Sequence, residues 1–307
     1  MRVTVAICTW NRWQLLHQAL EHMTHLMIPP GLEWELLIVN NACTDCTDQV
    51  IASFFPRLPI RRLYEPNPGL SNARNLAVRE ACGEYILWTD DDVLVDEHLL
   101  VSYIEAFRQW PEAAFFGGPV QPWFAVSPPR WLRRAWSSVA DAYAVRDLGD
   151  RPIRFDGAGL IPYGANFVVR MNEQRRHLYD PHLGHRREDR IGGEEMKLLG
   201  ELMTKGCEGW WVPGARVRHV IPSERMTTRY IRTYYLGHGR YLEKTQSGQA
   251  DKAALARRSP RFLRLVFRAI RKETQYRCRR VICSPELWIH DLIAASKAWG
   301  RLFEKGS

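Results

Sequence analysis

The chain has 307 residues, 46% of them hydrophobic and 25% charged, with a formal charge of +9. That composition excludes wholesale disorder and allows a sizeable core, within reach of one large α/β domain and a tail. From Ser223 onward 19 Lys/Arg stand against 7 Asp/Glu, whereas residues 1–222 hold 24 against 27, which argues against a nucleic-acid surface spread over the body and confines the basic character to a C-terminal element.

The opening run Val3-Thr-Val-Ala-Ile-Cys-Thr9 is β-branched and apolar without alternation. It predicts a strand covered on both faces rather than a signal peptide. Trp13 to Met27 places Leu15, Leu16, Ala19, Leu20 and Met23 on one helical stripe. Glu35–Val39 is a second buried strand, and Ser71 to Ala81 a helix with Ser71 as N-cap. Tyr85–Trp88 and Ala114–Phe116 repeat the strand pattern. This alternation predicts a doubly wound α/β half over residues 1–120. Beyond it, prolines at 119, 122, 128 and 129 interleave with Trp123, Phe124, Trp131 and Trp136. They predict a loop-rich, aromatic stretch that continues through Gly157–Gly164. Aromatic packing is the expectation for these tryptophans and for Trp210 and Trp211, with stacking on a bound ligand as the alternative. Helical periodicity returns from Glu194 to Lys205.

Near the C-terminus Ser259-Pro260 opens a helix on which Arg261, Arg264, Arg268 and Arg271 share one face. Pro285 to Phe303 forms a second amphipathic helix. These helices either pack on the body with solvated charges or attach the chain to a membrane surface. No apolar run approaches the ~18–20 residues of a spanning helix. With scattered cysteines and no export signal, the expectation is a cytoplasmic protein with reduced thiols, peripheral on the inner face of the membrane if the helices bind lipid.

The chemistry concentrates in a few segments. Trp88-Thr-Asp90-Asp91-Asp92-Val93 follows an apolar strand directly. Three adjacent carboxylates repel one another, and a divalent cation shared with a diphosphate would neutralise them; the plainer alternative is an acidic turn or helix N-terminus. Thr9-Trp-Asn11-Arg12, Asn40-Asn41-Ala-Cys43-Thr-Asp45 and Asn67-Pro-Gly69-Leu-Ser-Asn72-Ala-Arg74-Asn75 each put polar side chains at the carboxyl edge of the predicted sheet, where such folds bind ligands. The Arg74 guanidinium suits diphosphate oxygens, or is a surface helix arginine. Gly164-Ala165-Asn166 combines small residues with an amide, which suits a loop packed closely against a ligand. Cys43-Thr-Asp-Cys46 spells C-x-x-C, but without a second pair it reads as coincidence rather than a redox or zinc site.

Together these motifs resemble glycosyltransferase family 2. Its marks are a C/P-T-x-N-R opening, a V-D-D/N-x-S-T-D loop, a P-G-x-x-x-A-R-N segment, a D-x-D-type acidic cluster and a later G-x-E-D. All five have counterparts here in order, the last in Ile191-Gly-Gly-Glu194-Glu195. The resemblance implies a GT-A-type α/β fold, a doubly wound mixed sheet flanked by helices. Its catalytic domain would span 1–222, divided into a nucleotide-sugar half (1–120) and an acceptor half (121–222), with 223–307 as a basic amphipathic helical extension.

The same resemblance implies an inverting, metal-dependent enzyme of the hexosyltransferase type. It would move a sugar from a nucleotide-diphosphate donor, UDP being expected, to a hydroxyl of a glycan or glycolipid acceptor in polysaccharide assembly, with no nucleic-acid partner. Thr9, Asn11, Arg12, Asn40, Asn41 and Arg74 would line the nucleotide pocket. Asp90 to Asp92 would hold Mn²⁺ or Mg²⁺ against the diphosphate, with Asp91 as direct ligand and Asp90 or Asp92 as the alternative, Asp92 beside the metal and Asp90 toward the nucleotide sugar. Glu195, beside Glu194, would be the catalytic base. His219 would reach the metal or phosphates, or be a structural strand histidine. Gly164, Ala165 and Asn166 would form the acceptor side. Two departures stand out. Asn40-Asn41 replaces the usual acidic residues and can donate as well as accept, with uridine still the expected base. The catalytic position holds Glu rather than the commoner Asp, which changes its reach but not its chemistry.

The alternative on the same fold is a non-catalytic carbohydrate- or nucleotide-binding adaptor, against which the intact acidic cluster and Glu195 stand. A sugar-nucleotide pyrophosphorylase would need a Gly-rich phosphate loop, and a nicotinamide oxidoreductase a G-x-G-x-x-G; Thr9-Trp-Asn-Arg12 provides neither.

Overall fold

The structure is a computed structural model and describes residues 1–156, 161–185, 190–191, 193–246 and 260–303. The predicted helix start at Ser259, Gly192 of the acidic motif and part of the Gly157–Gly164 stretch lie outside the described residues, as does the Arg261 side chain.

The chain runs β1 (Arg2–Thr9), α1 (Trp13–Met23), β2 (Glu33–Asn40), α2 (Thr47–Phe54), β3 (Ile60–Tyr64), α3 (Leu70–Glu80), β4 (Tyr85–Asp90), β5 (Val93–Val95), α4 (Leu99–Gln109), β6 (Phe115–Gly117) and β7 (Val120–Phe124). It continues through α5 (Arg130–Val139), a short 3-10 helix (Ala140–Tyr143), β8 (Ile153–Arg154), β9 (Asn166–Arg170), α6 (Met171–Arg176), β10 (Gly184–His185), β11 (Arg190–Ile191) and α7 (Glu194–Thr204). Then come β12 (Gly209–Trp211), β13 (Val217–Ile221), α8 (Thr228–Gln246), α9 (Pro260–Ile282) and α10 (Pro285–Leu302). Two compact units result, the first from Met1–Trp123 and most of 144–220, the second from Phe124–Tyr143 and the chain beyond Val220.

The first unit is built on an eight-stranded mixed sheet of order β3-β2-β1-β4-β9-β6-β12-β8. β3, β2, β1 and β4 are parallel, and β9 runs antiparallel between β4 and β6. Successive strand side chains point to opposite faces, and here both faces are covered. Val3, Val5 and Ile7 pack with Leu16 and Leu20 of α1 on one side. Ala6 and Trp88 pack with Ala73 and Ala77 of α3 and Leu198 of α7 on the other. That two-sided burial explains the unalternating apolar runs of β1, β2 and β4. Small residues at 6, 73 and 77 bring α3 close to the sheet, which carries the neighbouring Arg74 into the interior.

The register aligns the strand ends that matter. Thr9 pairs with Asn40, and Cys8 with Asp90. The order of these strands reverses between β1 and β4, where one connection leaves to each side. Ligand crevices of doubly wound sheets open at such a point, outside the carboxyl ends of the strands. A smaller sheet, β5-β13-β7, sets His219 opposite Val93.

The second unit is helical. α10 packs along α9 and α8, and Gly239 and Gly300 let α8 and α10 cross so closely that a Cβ on either would meet the backbone of the other helix. Trp131, Trp136 and Trp288 lie in aromatic contacts within this unit, Trp131 against Trp288 and Trp136 against Tyr143. The stretch expected to be loop-rich after Pro119 therefore contains β7 and α5. Pro129 sits just before the first turn of α5, where its missing N–H costs nothing, and Leu132, Ala135 and Val139 form the buried stripe. α1 is also shorter than expected, ending at Met23, with Met27 and Ile28 exposed beyond it.

Candidate active site

The loops after β1, β2 and β4 meet at the carboxyl edge of the first unit's sheet. Asn11 adopts a left-handed conformation, φ 51°, which an asparagine tolerates better than most residues. Its Oδ1 accepts the Thr44 amide at 2.8 Å, and its own amide donates to Cys43 Sγ at 3.3 Å. The two loops are thereby joined, and Cys43 serves in that joint rather than in a redox or metal pair. All seven cysteines are free thiols.

Asn40 and Asn41 are both buried and spend their amides inside the loops. Asn40 donates to Asp48 and accepts the Cys43 amide. Asn41 donates to the Glu65 and Asn67 carbonyls and accepts the Gly69 amide at 2.8 Å, which fixes the entry to α3. Both Asn41 N–H groups are thus spent within the loops, and Asn40 spends one of its two on Asp48. A nucleotide base would meet this loop through other atoms.

The three aspartates divide by environment. Asp91 and Asp92 are buried. Asp91 accepts Thr9 Oγ1 at 2.7 Å and Arg12 Nη1 at 2.8 Å. Asp92 accepts the same Arg12 nitrogen at 3.0 Å and lies 3.2 Å from His219 Nε2. Asp90 is 33% exposed and stands 3.9 Å from Arg74 Nη2. Burial pushes the Asp91 carboxyl up to about 6, with Asp92 and Asp90 adding to the rise against Arg12 and the Thr9 bond.

Among the described residues no three His, Cys, Asp or Glu side chains form a ready-made cation cage. The donor set nevertheless fits Mg²⁺ or Mn²⁺ of the kind that takes one or two carboxylates and completes its shell with substrate phosphates and water. Asp90, with its exposed oxygens, is the carboxylate open to such a cation, and the adjacent Asp91 would reach it only by sharing oxygens already bonded to Thr9 and Arg12.

Arg74 links this cluster to the acidic start of α7. Its guanidinium is 3% exposed and lies 5.3–5.8 Å from the ring centres of Tyr179, Trp88 and Phe167. Nη1 donates to Glu194 Oε1 at 2.9 Å. Burial works against the Arg74 charge, but Glu194, Asp90 and Glu195 outweigh it and raise its pKa. This is no surface arginine. The aromatic box went unnoticed in the sequence, because Phe167 and Tyr179 are remote from position 74 and carry no motif.

α7 begins after Gly193, which takes φ 99° as a glycine can. Glu194 and Glu195 occupy its first turn, where the helix dipole favours carboxylates. Glu194 is buried and uses one oxygen on Arg74; its Oε2 has no hydrogen-bond partner. Glu195 responds differently. Burial pushes its carboxyl up to about 7, with Glu194 adding to the rise and Arg74 opposing it.

Gly164 lies against both groups: a Cβ there would come within 3.0 Å of Arg74 Nη2 and 3.5 Å of Glu195 Oε1. Ala165 is buried beside it. Asn166, expected on the acceptor side, is a bracing residue instead. It donates to the Pro119 and Ala215 carbonyls and accepts Tyr103 Oη at 2.7 Å, so no polar atom is left for a sugar.

The chain has relatives among known glycosyltransferases. A family model described as "Glycosyl transferase family 2" matches residues 4–170. The succinoglycan biosynthesis protein ExoM of Rhizobium meliloti is 23% identical over 270 residues, 83% of this chain and 81% of that protein. Among solved structures, the mannosyltransferase PcManGT from Pyrobaculum calidifontis, in complex with GDP-Man and Mn²⁺, covers 99% of this chain and 88% of its own, with a TM-score of 0.61 at 18% identity. S. aureus TarS 1-349 in complex with UDP-GlcNAc covers 98% of this chain and 90% of its own, with a TM-score of 0.54 at 12% identity. At these identities the structural likeness is one of fold, the GT-A arrangement of a mixed sheet between helices.

Proposed function

The chain belongs to glycosyl transferase family 2, and on that premise we propose that it transfers a sugar from a nucleotide-diphosphate donor to an acceptor hydroxyl by one inverting displacement, with Glu195 as general base. The observation that carries this reading is the single buried guanidinium of Arg74 between Asp90 and Glu194, with Glu195 and Gly164 beside it. This proximity supports donor-phosphate chemistry and proton transfer at one place. PcManGT with GDP-Man and Mn²⁺ and TarS with UDP-GlcNAc support a nucleotide-sugar donor and a divalent cation. The relation to ExoM supports a glycan acceptor in polysaccharide assembly.

An acceptor hydroxyl is a weak nucleophile near neutral pH, so a carboxylate must take its proton as the oxygen attacks. Glu195 is poised for this, since a pKa near 7 matches a base to the pH at which it works. The leaving diphosphate gains negative charge. A divalent cation held by Asp90 and Asp91 would stabilise that charge where it develops. Arg12 holds Asp91 and Asp92 in place, and Arg74 fixes Glu194 so that Glu195 keeps its aim past Gly164. Cys8 lies within electrostatic reach of Arg74 and Asp90, but burial pushes its thiol up to about 12. It stays protonated and is no nucleophile.

Two consequences can be measured. Because the base must be ionised and its pKa is raised to about 7, kcat/KM should climb as pH rises through about 7 and level off above it. A profile already flat from pH ~5 would match an unperturbed glutamate and remove Glu195 from this role. Second, Gly164→Ala puts a methyl against Arg74, which its aromatic box keeps from yielding. We expect kcat to fall by about tenfold and the melting temperature to drop by the few degrees that overpacking costs, since a misplacement of about 1 Å lowers the rate up to 10²-fold. Wild-type turnover in that variant would mean that Gly164 lies away from the reacting groups.

The reading itself is tested by titrating the protein with a panel of nucleotide sugars in Mn²⁺ or Mg²⁺ and following slow donor hydrolysis, with EDTA as control. Metal-dependent binding and hydrolysis of one donor supports the proposal. Binding without hydrolysis would favour a non-catalytic adaptor, and no binding at all would remove both.

A further inference from the structure

Helix α9 belongs wholly to the second unit. It buries Ala269 and Tyr276 on one side and turns the other to solvent. Along the solvent side Leu263, Phe267, Ile270 and Val281 recur at helical spacing, and they are 58%, 71%, 52% and 84% exposed. Beside this apolar stripe run Arg264, Arg268 and Arg271, also exposed.

Charge on the helix is one-sided. Its only acidic residue, Glu273, is already held by Arg232 and Arg277, while Lys272 and Arg279 are engaged by Asp291. Among the described residues, Arg268 and Arg271 form no ion pair. A helix that merely packed on its neighbours would carry polar side chains on its outer face. This one keeps a large aromatic and several aliphatic side chains in water, in line, with guanidinium groups along the margin. That arrangement matches the interface of an anionic bilayer: apolar side chains enter the acyl boundary, and arginines reach the phosphates on flexible stems. Single-stranded nucleic acid would engage the arginines and could stack on Phe267, but Leu263, Ile270 and Val281 offer a base nothing to stack on.

We propose that the solvent face of α9 binds an anionic lipid surface, with the helix lying in the plane of the interface. The proposal is independent of the transfer reaction above. Among the described residues no helix is long and apolar enough to cross a membrane.

The test is co-sedimentation of the full chain with vesicles of phosphatidylcholine alone and of phosphatidylcholine mixed with phosphatidylglycerol, over a range of salt. Binding should require phosphatidylglycerol and weaken with salt. Arg268→Gln with Arg271→Gln should lower vesicle partitioning by about thirty-fold, at the usual strength of one basic residue near an anionic surface. Leu263→Ser with Phe267→Ser should abolish it. Donor turnover in solution and melting temperature should stay unchanged in both pairs. If the serine pair proves less stable, the arginine pair, altered only in solvated side chains, still gives the readout. Equal binding to neutral and anionic vesicles, no pelleting with either, or retention on DNA without vesicle binding would each overturn the proposal.

Discussion

Replacing Glu195 with glutamine is expected to lower kcat by about 10²- to 10⁴-fold, the range that a positioned general base contributes, while donor affinity stays unchanged. The substitution keeps the shape of the side chain and removes only its ability to take a proton. It should not harm the fold, and the sign can be worked out. The Glu195 carboxyl is raised to about 7 by burial and by Glu194. The folded state therefore favours the protonated form, and the stability this brings is present below the unfolded pKa near 4.5 and lost as pH rises through about 7. A neutral glutamine escapes that loss, so Glu195→Gln should be as stable as wild type at pH ~8 or more so. Turnover rates at saturating donor, set beside melting curves at several pH values, check both statements. Full activity in a folded Glu195→Gln protein would assign proton removal to another group.

The second large effect is expected at Arg74. Its guanidinium and the Glu194 carboxylate are each 3% exposed and 2.9 Å apart. Removing one member of such a pair leaves the other charged in the interior, which costs about 3–5 kcal/mol. Arg74→Met should lose stability of that order in urea unfolding at neutral pH, together with nearly all turnover. Lysine is a poor substitute, because a point charge can neither span Asp90 and Glu194 nor lie flat among Trp88, Phe167 and Tyr179. The double variant Arg74→Met/Glu194→Gln separates the two roles. With no orphaned charge it should recover much of the stability, since such energies do not add within one pair, yet remain inactive. Recovery of activity along with stability would reduce Arg74 to a purely structural residue.

The sequence was legible where one physical rule dominated. Burial on both faces leaves an unalternating apolar run, so β1, β2 and β4 could be read directly, and with them the edge where Thr9, Asn40 and Asp90 gather. β3 escaped because Ile60-Arg-Arg-Leu-Tyr64 is an edge strand with partly exposed, charged side chains. α5 escaped because prolines at 128 and 129 look like loop residues when they precede a helix.

At the site, residue types gave the inventory but not its use. Asn41 and Asn166 look like ligand contacts in one dimension, yet their amides are consumed by backbone or side-chain groups brought close by folding. Asp90, Asp91 and Asp92 are alike in sequence and unlike in place. Only the turn after β4 decides that Arg12 and Thr9 take the second, His219 meets the third and the first stays open. The partnership of Arg74 with Glu194 joins residues 120 positions apart, and no local pattern announces such a pair.

A single displacement driven by Glu195 is tested most directly by the anomeric configuration of the sugar released from the bound donor. Early time points of donor hydrolysis, followed by proton NMR before mutarotation, should show the anomer opposite to that of the donor, because water in place of the acceptor would attack from the face that Glu195 serves. Release with the donor's own configuration would contradict the account, since retention demands an intermediate or an internal return that a lone base beside Gly164 does not provide.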